Sequence, residues 1–423
     1  MEKKISQNVF NTILSQVFPL IKNTGNSIKN DESTYNLSFV PFTINFLFGI
    51  ICNIKTRAQL ITQIRTSDIA QALNLVNASN SSYTEAFYRY ASKLFREIFI
   101  QLLSSLNFIS IPGLDQLGLF MLVDGSVFPA VKSMTWASYK KTANALKLHL
   151  AFNLNLMIPA EFISTDANYS ERKFLKDILK KGITYICDRG YLCLKTFKAI
   201  RDKGAFFIIR SKSNLKYVVR ENFVVDLTTS IKGLLQDVKD MRIVFKNDKN
   251  RDKNNKKIEY RMITFTAMGE FYSIITNRFD LTTYEVIMLY AYRWQIELIF
   301  RFLKRTQNCI HLLCHEPNGI EIQFYLYMIA YLLLLSFKQK CAIIESGDQI
   351  KEDIANPANN EIQNESFDYA QPEQGRYYAR GLVSMLGKGL RRYWKISIHW
   401  LIVIRNYMLK PFTKSIAKAI ALE

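Results

Sequence analysis

The chain of 423 residues carries a formal net charge of +20, and 49% of its residues are hydrophobic and 13% aromatic. This length predicts two or three domains, and the apolar content excludes a wholly disordered chain. The positive charge predicts a polyanionic partner, most simply nucleic acid, with a membrane surface as the competing partner.

Residues 1–112 have the pattern of a helical DNA-binding region. Within them, residues 66–106 resemble a helix-turn-helix, in which a short helix and a polar turn precede a longer amphipathic helix. Any small helical domain could show the same pattern, so ordinary helix packing remains an alternative. In the DNA-binding interpretation, three side chains of the longer helix face the DNA: Tyr83, Arg89 and Lys93.

A first candidate carboxylate follows at Asp124. The aliphatic run of residues 117–128 predicts a β-strand that ends at Asp124-Gly125. Asp-Gly is also a common hairpin turn that needs no chemistry. However, the next two predicted strands, residues 145–155 and 156–164, already form a meander with a turn of their own, which leaves Asp124 as a candidate functional group.

A second carboxylate, Asp188, begins the tetrad Asp-Arg-Gly-Tyr. A predicted helix at residues 170–181, capped by Ser170, leads into the apolar run 183–187, which suits a strand buried on both faces. Asp188 would lie at the carboxyl end of that strand, where open α/β sheets place their ligands. A helix at 192–203 and a strand at 205–210 should follow.

Residues 216–277 contain several short strand-like runs, interrupted by a strongly charged loop at 246–257. This pattern predicts a β-rich insertion between the last core strand and the helix that comes next.

Residues 290–304 predict one helix with a polar face. At 100° per residue, Tyr290, Arg293, Glu297 and Lys304 fall on one side, and apolar residues cover the other side. In the simplest interpretation this is a surface helix with an Arg293–Glu297 ion pair that contributes about 0.2–0.5 kcal/mol to helix stability.

The spacing Tyr-x2-Arg-x3-Glu-x6-Lys of this segment, together with the tetrad at 188–191, resembles the insertion-sequence transposases with the Y-R-E-K signature, the "IS four" family. The resemblance implies a ribonuclease-H-like mixed sheet with flanking helices over residues 113–340, interrupted by the β insertion at 216–277. It further implies that Asp124, Asp188 and Glu297 are catalytic metal ligands and that Tyr290, Arg293 and Lys304 grip phosphates.

Carboxylates suit this chemistry, because two Mg²⁺ ions about 4 Å apart can activate an attacking oxygen and stabilise a leaving oxygen. Mn²⁺ is an expected substitute for Mg²⁺. Arg189 and Arg210 are further expected DNA contacts. Some relatives use a Trp in the insertion to stack on a flipped base. This insertion has no Trp, and Phe271 and Tyr272 are its nearest substitutes.

The C-terminal part divides into three segments. A helix at 321–337 should pack beneath the sheet, since its apolar run is shorter than the roughly 20 residues of a membrane-spanning helix. Residues 345–374 predict an acidic flexible linker, and residues 375–423 a basic helical tail.

The cysteines form no Cys-x-x-Cys pair, which suits reduced thiols. Four candidate zinc ligands are crowded into seven positions, whereas zinc sites usually combine two separated pairs, so their role stays open. They are Cys309, His311, Cys314 and His315.

Together these patterns predict a transposase that binds terminal inverted repeats and performs metal-dependent cleavage and strand transfer in cut-and-paste transposition. Its expected partners are the double-stranded DNA of the element ends and of the target, with a homodimer in the synaptic complex and no membrane. A cytoplasmic, nucleoid-associated location is expected, since the N-terminus lacks a signal-peptide pattern. The alternatives are a catalytically inactive, element-derived DNA-binding protein and a membrane-associated basic protein.

Overall fold

The computed structural model describes residues 7–111, 113–130, 134–140, 143–212, 215–225, 235–251, 255–267, 270–305 and 312–355. These residues form two compact units, a helical unit of residues 7–109 and 301–355 and a sheet unit of residues 110–300. The predicted tail at 375–423 lies outside the described residues.

The helical unit is built around aromatic side chains of its N-terminal helices. Phe42 and Phe46 of α4 contact Tyr83 and Phe87 of α7, with ring centroids 5.1 to 6.5 Å apart. Such ring pairs bury a large apolar area. The N-terminal helices are α1 (Gln7–Ser15), α2 (Phe18–Asn26), α3 (Asp31–Thr34), α4 (Phe39–Ile51), α5 (Arg57–Thr66), α6 (Asp68–Ala72), α7 (Asn80–Arg89) and α8 (Ser92–Ser105).

The long C-terminal helix α13 (Pro317–Ala355) belongs to this helical unit. Its Tyr325 ring lies 6.0 Å from that of Phe99 on α8, and Ser92 Oγ donates a hydrogen bond to Glu321 Oε2 over 2.8 Å. The stretch Pro317–Lys340 is long and apolar enough to cross a membrane by length and composition, but 89% of its most apolar window is buried inside the protein. The helix therefore serves as a core element here.

The helix α13 also corrects the predicted linker. It continues to Ala355, so the first eleven residues of the segment 345–374 are helical. The remainder of that segment lies outside the described residues.

The sheet unit confirms the predicted ribonuclease-H-like class, a mixed sheet with flanking helices. Its ten described strands follow the order β2-β3-β1-β5-β6-β10-β9-β8-β7, and β4 pairs with β3. The strands are β1 (Leu119–Ala130), β2 (Ser138–Lys140), β3 (Ala143–Asn153), β4 (Ile158–Asp166), β5 (Ile183–Cys187), β6 (Phe206–Arg210), β7 (Tyr217–Phe223), β8 (Gln236–Phe245), β9 (Tyr260–Ala267) and β10 (Glu270–Thr276).

The centre of the sheet positions the candidate site. β1 runs antiparallel to β3 and parallel to β5, and β5 runs parallel to β6. The helices α9 (Glu171–Asp177) and α10 (Leu194–Asp202) provide apolar side chains that pack on this part of the sheet. Strand β5 is nearly all buried, as its unbroken apolar sequence predicts.

Helix α9 is shorter than the predicted helix at 170–181. It ends at Asp177, and the Ser170 side chain makes no capping hydrogen bond. Instead the Ser170 carbonyl accepts backbone hydrogen bonds from Lys173 and Phe174.

The predicted β insertion continues the central sheet. Strand β10 pairs antiparallel with β6, with Ile275 opposite Ile209, and β9, β8 and β7 follow outward. Residues 216–277 are thus β-rich as predicted, but their strands extend the core sheet instead of interrupting it.

A buried ion pair joins these outer strands to the next helix. Arg261 on β9 contacts Asp240 on β8, with Nη2 2.6 Å from Oδ2, and Thr283 Oγ1 donates to the same carboxylate over 2.7 Å. Thr283 opens α11 (Thr283–Ala291), which precedes α12 (Trp294–Arg305). Asp240 thereby connects the outer strands to the first residue of α11, the helix that precedes α12.

Candidate active site

The two candidate aspartates lie side by side because of the strand register. Val123 of β1 pairs with Cys187 of the parallel strand β5, and Asp124 and Asp188 are the next residues of the two chains. Asp124 was predicted at the end of a strand, but β1 continues to Ala130 and pairs Asp124 with Leu150 of β3. The position is nevertheless the one at which the neighbouring strand β5 ends, so both aspartates stand at one edge of the sheet.

The predicted single helix at 290–304 is divided into α11 and α12. Backbone hydrogen bonds from Arg293 to Tyr290, from Gln295 to Tyr292 and from Ile296 to Arg293 close tight three-residue turns at the junction. Tyr290 therefore lies in the last turn of α11, Arg293 lies between the helices, and Glu297 lies in the first turn of α12. A carboxylate in the first turn is favoured by the helix dipole.

Arg293 links two of the candidate carboxylates. Its Nη2 donates to Glu297 Oε1 over 2.5 Å, and its Nη1 lies 3.8 Å from Asp124 Oδ2. The side chains of Arg293, Asp124 and Glu297 are 15%, 21% and 31% exposed, so the contacts are partly shielded from water. The structure thus brings Asp124, Asp188, Arg293 and Glu297 to one site.

Burial and neighbouring charge determine the ionisation of Asp124. Burial raises the pKa of its carboxyl to about 6, and the charges of Glu171 and Glu297 add to this rise. The Gly125 N–H, which donates to Asp124 Oδ1 over 2.8 Å, and the Arg293 guanidinium act against it. The carboxylate is therefore ionised at neutral pH, and both the Gly125 N–H and the Arg293 guanidinium favour that form.

Arg293 remains charged in this setting. Burial opposes the charge, but Tyr290, Glu297 and Asp188 together raise the pKa of the guanidinium above its ordinary value. Arg293 is thus a permanent cation among the acidic groups of the site.

The predicted phosphate contacts occupy different environments. Tyr290, predicted to grip a phosphate, is only 4% exposed, and burial raises the pKa of its phenol. Arg210, at the end of β6, is half-buried with its guanidinium carbon 4.7 Å from the Tyr272 ring centroid, whereas Arg189 is exposed. Lys304 is half-buried near the end of α12, in the helical unit.

The outer hairpin offers one exposed aromatic side chain. Tyr272 is buried and stacked on Phe265, with ring centroids 5.3 Å apart, while Phe271 is 57% exposed. Of the two predicted substitutes for the missing Trp, only Phe271 presents its ring to solvent.

The donor atoms fit a hard divalent cation, because Asp124, Asp188 and Glu297 all supply carboxylate oxygens. Over the described residues, however, no three His, Cys, Asp or Glu side chains are grouped closely enough to hold a metal ion. Arg293 lies between Asp124 and Glu297, so a shared ligand set requires its side chain to shift. Of the four crowded Cys and His residues, Cys309 and His311 lie outside the described residues, and Cys314 is a buried free thiol.

The three predicted DNA contacts of the helix-turn-helix lie in different environments, and the burial of Tyr83 contradicts the predicted contact at that residue. The segment 83–106 is divided between α7 and α8, because the chain is extended at Tyr90 and Ala91. Tyr83 is fully buried and accepts a hydrogen bond from Asn45 Nδ2 over 2.8 Å. Arg89 stacks on the Tyr35 ring, 3.3 Å from its centroid, and donates to the Leu37 carbonyl over 3.2 Å. Of the three, only Lys93 is exposed.

Sequence reasoning missed an ion pair beside the site. Lys147 Nζ of β3 lies 2.5 Å from Glu171 Oε1 at the start of α9. His149, two residues along the same strand face, is fully buried, and burial lowers its pKa to about 4. The alternation of β3 places Lys147 and His149 on one face, which was the available signal.

Comparison with known proteins relates this chain to transposases. Residues 116–333 match the sequence family described as "Transposase DDE domain". The chain is 29% identical over 50% of its length to a protein of Sinorhizobium fredii named as a transposase, y4zB, of which 59% is covered. It is 23% identical over 74% of its length to a Synechocystis protein named as a transposase for the insertion sequence element IS4SA, of which 88% is covered.

A third relative, from Geobacillus stearothermophilus, is named as a transposase for the element IS5377. It is 22% identical over 50% of this chain, and 55% of the relative is covered. The alignments with the Sinorhizobium and Geobacillus proteins thus span less than two thirds of those proteins.

Proposed function

Because this chain belongs to the transposase DDE domain family, we propose that it is an insertion-sequence transposase that cleaves and rejoins DNA at the ends of its element. The observation that carries the proposal is the pairing of Val123 with Cys187, which puts Asp124 beside Asp188. Glu297 completes the acidic site through Arg293. Terminal inverted repeats are the proposed binding sites, and cut-and-paste transposition is the proposed outcome.

Asp124, Asp188 and Glu297 are the residues that would hold divalent metal, with two Mg²⁺ ions, or Mn²⁺ in their place, as the proposed cofactor. When bound, such ions activate an attacking oxygen and stabilise a leaving oxygen in phosphodiester chemistry. Arg293 compensates the carboxylates in this structure, and we propose that it transfers to a phosphate of the DNA when the carboxylates take up metal. Guanidinium groups bind phosphate oxygens well, so this exchange keeps Arg293 paired.

The Y-R-E-K group is the proposed subfamily. Tyr290, Arg293, Glu297 and Lys304 match its signature at every position. The buried Tyr290 would hold the Arg293 side chain in position. The exposed Arg189 and the half-buried Arg210 would contact the DNA backbone.

Double-stranded DNA of the element ends and of the target is the proposed partner, and a homodimer is the proposed synaptic assembly, because two ends must be joined at once. The net charge of +20 supports attraction to DNA. We propose a cytoplasmic, nucleoid-associated location on the same basis.

A catalytically inactive, element-derived DNA-binding protein is the second candidate. The observation that favours it is the position of Arg293 between Asp124 and Glu297, where its guanidinium occupies the position that a metal ion would need. The two candidates differ in whether DNA bound by the protein is also cut.

The test uses the DNA that flanks the gene on both sides as labelled duplex substrate. Wild-type protein in Mg²⁺ or Mn²⁺ should nick one strand at each element end, and Glu297→Gln should bind the same DNA but nick it several orders of magnitude more slowly. Asp202→Asn, at an exposed residue of α10, serves as the matched control and should nick normally. Binding without nicking by folded wild-type protein would favour the inactive candidate.

A further inference from the structure

The carboxylate of Glu171 lies beside Gly125 and Gly190, two glycines in the segments that carry the candidate aspartates, but belongs to a different element. Glu171 opens α9, and its Oε1 lies 2.5 Å from Lys147 Nζ of β3. The Lys147 and Glu171 side chains are 14% and 27% exposed, so the pair is partly shielded from water. It therefore couples β3 to the start of α9 more strongly than an exposed ion pair would.

Two glycines leave room for this carboxylate. A Cβ atom added to Gly125 would lie 3.3 Å from Glu171 Oε1 and 2.8 Å from Lys147 Cε, and one added to Gly190 would lie 3.3 Å from Glu171 Oε2. Gly125 directly follows Asp124, and Gly190 follows Asp188 by two residues. The two oxygens of Glu171 thus each face one of the aspartate-bearing segments.

The next residue of α9 fixes the second segment directly. Arg172 Nε donates to the Gly190 carbonyl over 3.0 Å, in the turn that carries Asp188. The start of α9 therefore contacts the Asp188 turn through Arg172 and reaches the Asp124 strand through Glu171 and Lys147.

We propose that the Lys147–Glu171 pair is a positioning device that sets the separation of Asp124 and Asp188, with Gly125 and Gly190 making room for it. The inference rests on the proposed function, which assigns the two aspartates to metal binding. Lys147 and Glu171 act as a unit through the backbone of their neighbours, without contact with DNA or metal. Groups that orient metal ligands typically contribute about 10- to 100-fold in metal affinity or activity.

The test is a double-mutant cycle with Lys147→Met, Glu171→Gln and the double variant. Each single variant should raise the Mg²⁺ concentration that gives half-maximal nicking by about tenfold or more. DNA binding measured without metal should stay within about threefold of wild type. The double variant should lose no more than the worse single variant, since both remove one interaction.

An independent readout is the upward shift of the thermal unfolding midpoint on addition of Mg²⁺, which requires no turnover. This shift should shrink in both single variants and persist in Lys147→Arg, which keeps the cation. The matched control is the Lys180–Glu161 pair, which is also 2.5 Å apart but 62% and 43% exposed. Lys180→Met and Glu161→Gln should behave as wild type in both assays.

Single variants that match wild type would overturn the proposal, and so would losses that add in the double variant, because additive losses mean that the residues act separately. If a neutral variant fails to fold by circular dichroism, Lys147→Arg and Glu171→Asp supply the comparison. The proposal is supported if Lys147→Arg nicks DNA at the wild-type Mg²⁺ concentration while Glu171→Asp requires a higher concentration. Equal loss of nicking in both variants opposes the proposal. Wild-type protein that neither nicks nor responds to Mg²⁺ would remove the proposed function and this inference together.

Discussion

Arg293 lies 3.8 Å from Asp124, with its Nη1 nearest to Oδ2, although the two residues come from a helix junction and a central strand. The same guanidinium holds Glu297, so one cation compensates two carboxylates that would otherwise repel each other. The Arg293 guanidinium also lowers the pKa of Asp124, so it favours the ionised form of that carboxyl.

Replacing Arg293 should therefore shift the titration of Asp124 in the protein without metal and DNA. The pKa of Asp124 is about 6 in the presence of Arg293, which lowers it. In Arg293→Met the pKa of Asp124 should rise further, and the carboxyl chemical shift of Asp124, followed by NMR as pH changes, measures it. Arg242→Met, at an arginine paired with Glu221 and Glu259, should leave this titration unchanged. An unshifted titration in Arg293→Met would contradict the coupling.

The same ionisation predicts a cost in stability. The folded-state pKa of Asp124 lies near 6, above its ordinary value of 3.8, so the folded state binds more protons than the unfolded state between these values. The free energy of unfolding should consequently decrease as pH rises from about 4 to about 6 on account of this group. Asp124→Asn removes the buried charge and should stabilise the protein at pH 7.5 by roughly 1–3 kcal/mol.

This gain should disappear near pH 4, where Asp124 is protonated in the wild type. Urea unfolding at both pH values measures the difference, and nicking assays should show that the stabilised variant is inactive. Destabilisation of Asp124→Asn at pH 7.5 would mean that the contact with Arg293 outweighs the cost of burial.

Much of the site could be predicted from short-range patterns. The apolar run 183–187 and the Asp-Arg-Gly-Tyr tetrad predicted Asp188 at a strand end, and the structure agrees. The continuation of β1 past Asp124 could not be predicted in the same way, because it depends on pairing with β3 across the sheet. Local sequence shows only that Asp-Gly permits a turn.

The helix break before Glu297 was missed for a related reason. No Gly or Pro marks the junction at Tyr292 and Arg293, and helix propensity favours a continuous helix there. Tyr290, Tyr292 and Gln295 are all buried in the folded chain. Tertiary packing of these side chains therefore overrides local propensity. The burial of Tyr83 is a similar case, since an amphipathic pattern does not reveal which face meets the core.

The buried Asp240–Arg261 pair should be important for the stability of the sheet unit. Their side chains are 0% and 6% exposed, and Asp240 also accepts a hydrogen bond from Thr283. Arg261→Met would leave a buried carboxylate without its cation and should lower the free energy of unfolding by about 3–5 kcal/mol. Lys198→Met removes a pair whose side chains are 51% and 49% exposed and should cost less than about 1 kcal/mol. Urea unfolding followed by circular dichroism compares them, and equal losses would count against this role.

The last prediction separates fold from DNA contact in the N-terminal helices. Tyr83 is fully buried with its hydroxyl bonded to Asn45, so Tyr83→Phe should lower the free energy of unfolding by about 1 kcal/mol through the lost hydrogen bond. Its affinity for duplex DNA should equal that of wild type. Lys93 is exposed, and if these helices contact phosphates, Lys93→Ala should weaken binding and reduce the slope of log affinity against log salt by about 1.

Fluorescence anisotropy with labelled duplex at several salt concentrations measures both variants, and Lys55→Ala, at another exposed lysine in the loop between α4 and α5, provides the comparison. If Tyr83→Phe weakened DNA binding while its stability stayed unchanged, the buried position of Tyr83 would be wrong. If Lys93→Ala and Lys55→Ala changed the slope of log affinity against log salt equally, α8 would not be a specific DNA contact. The attraction to DNA would then come from the overall positive charge of the chain.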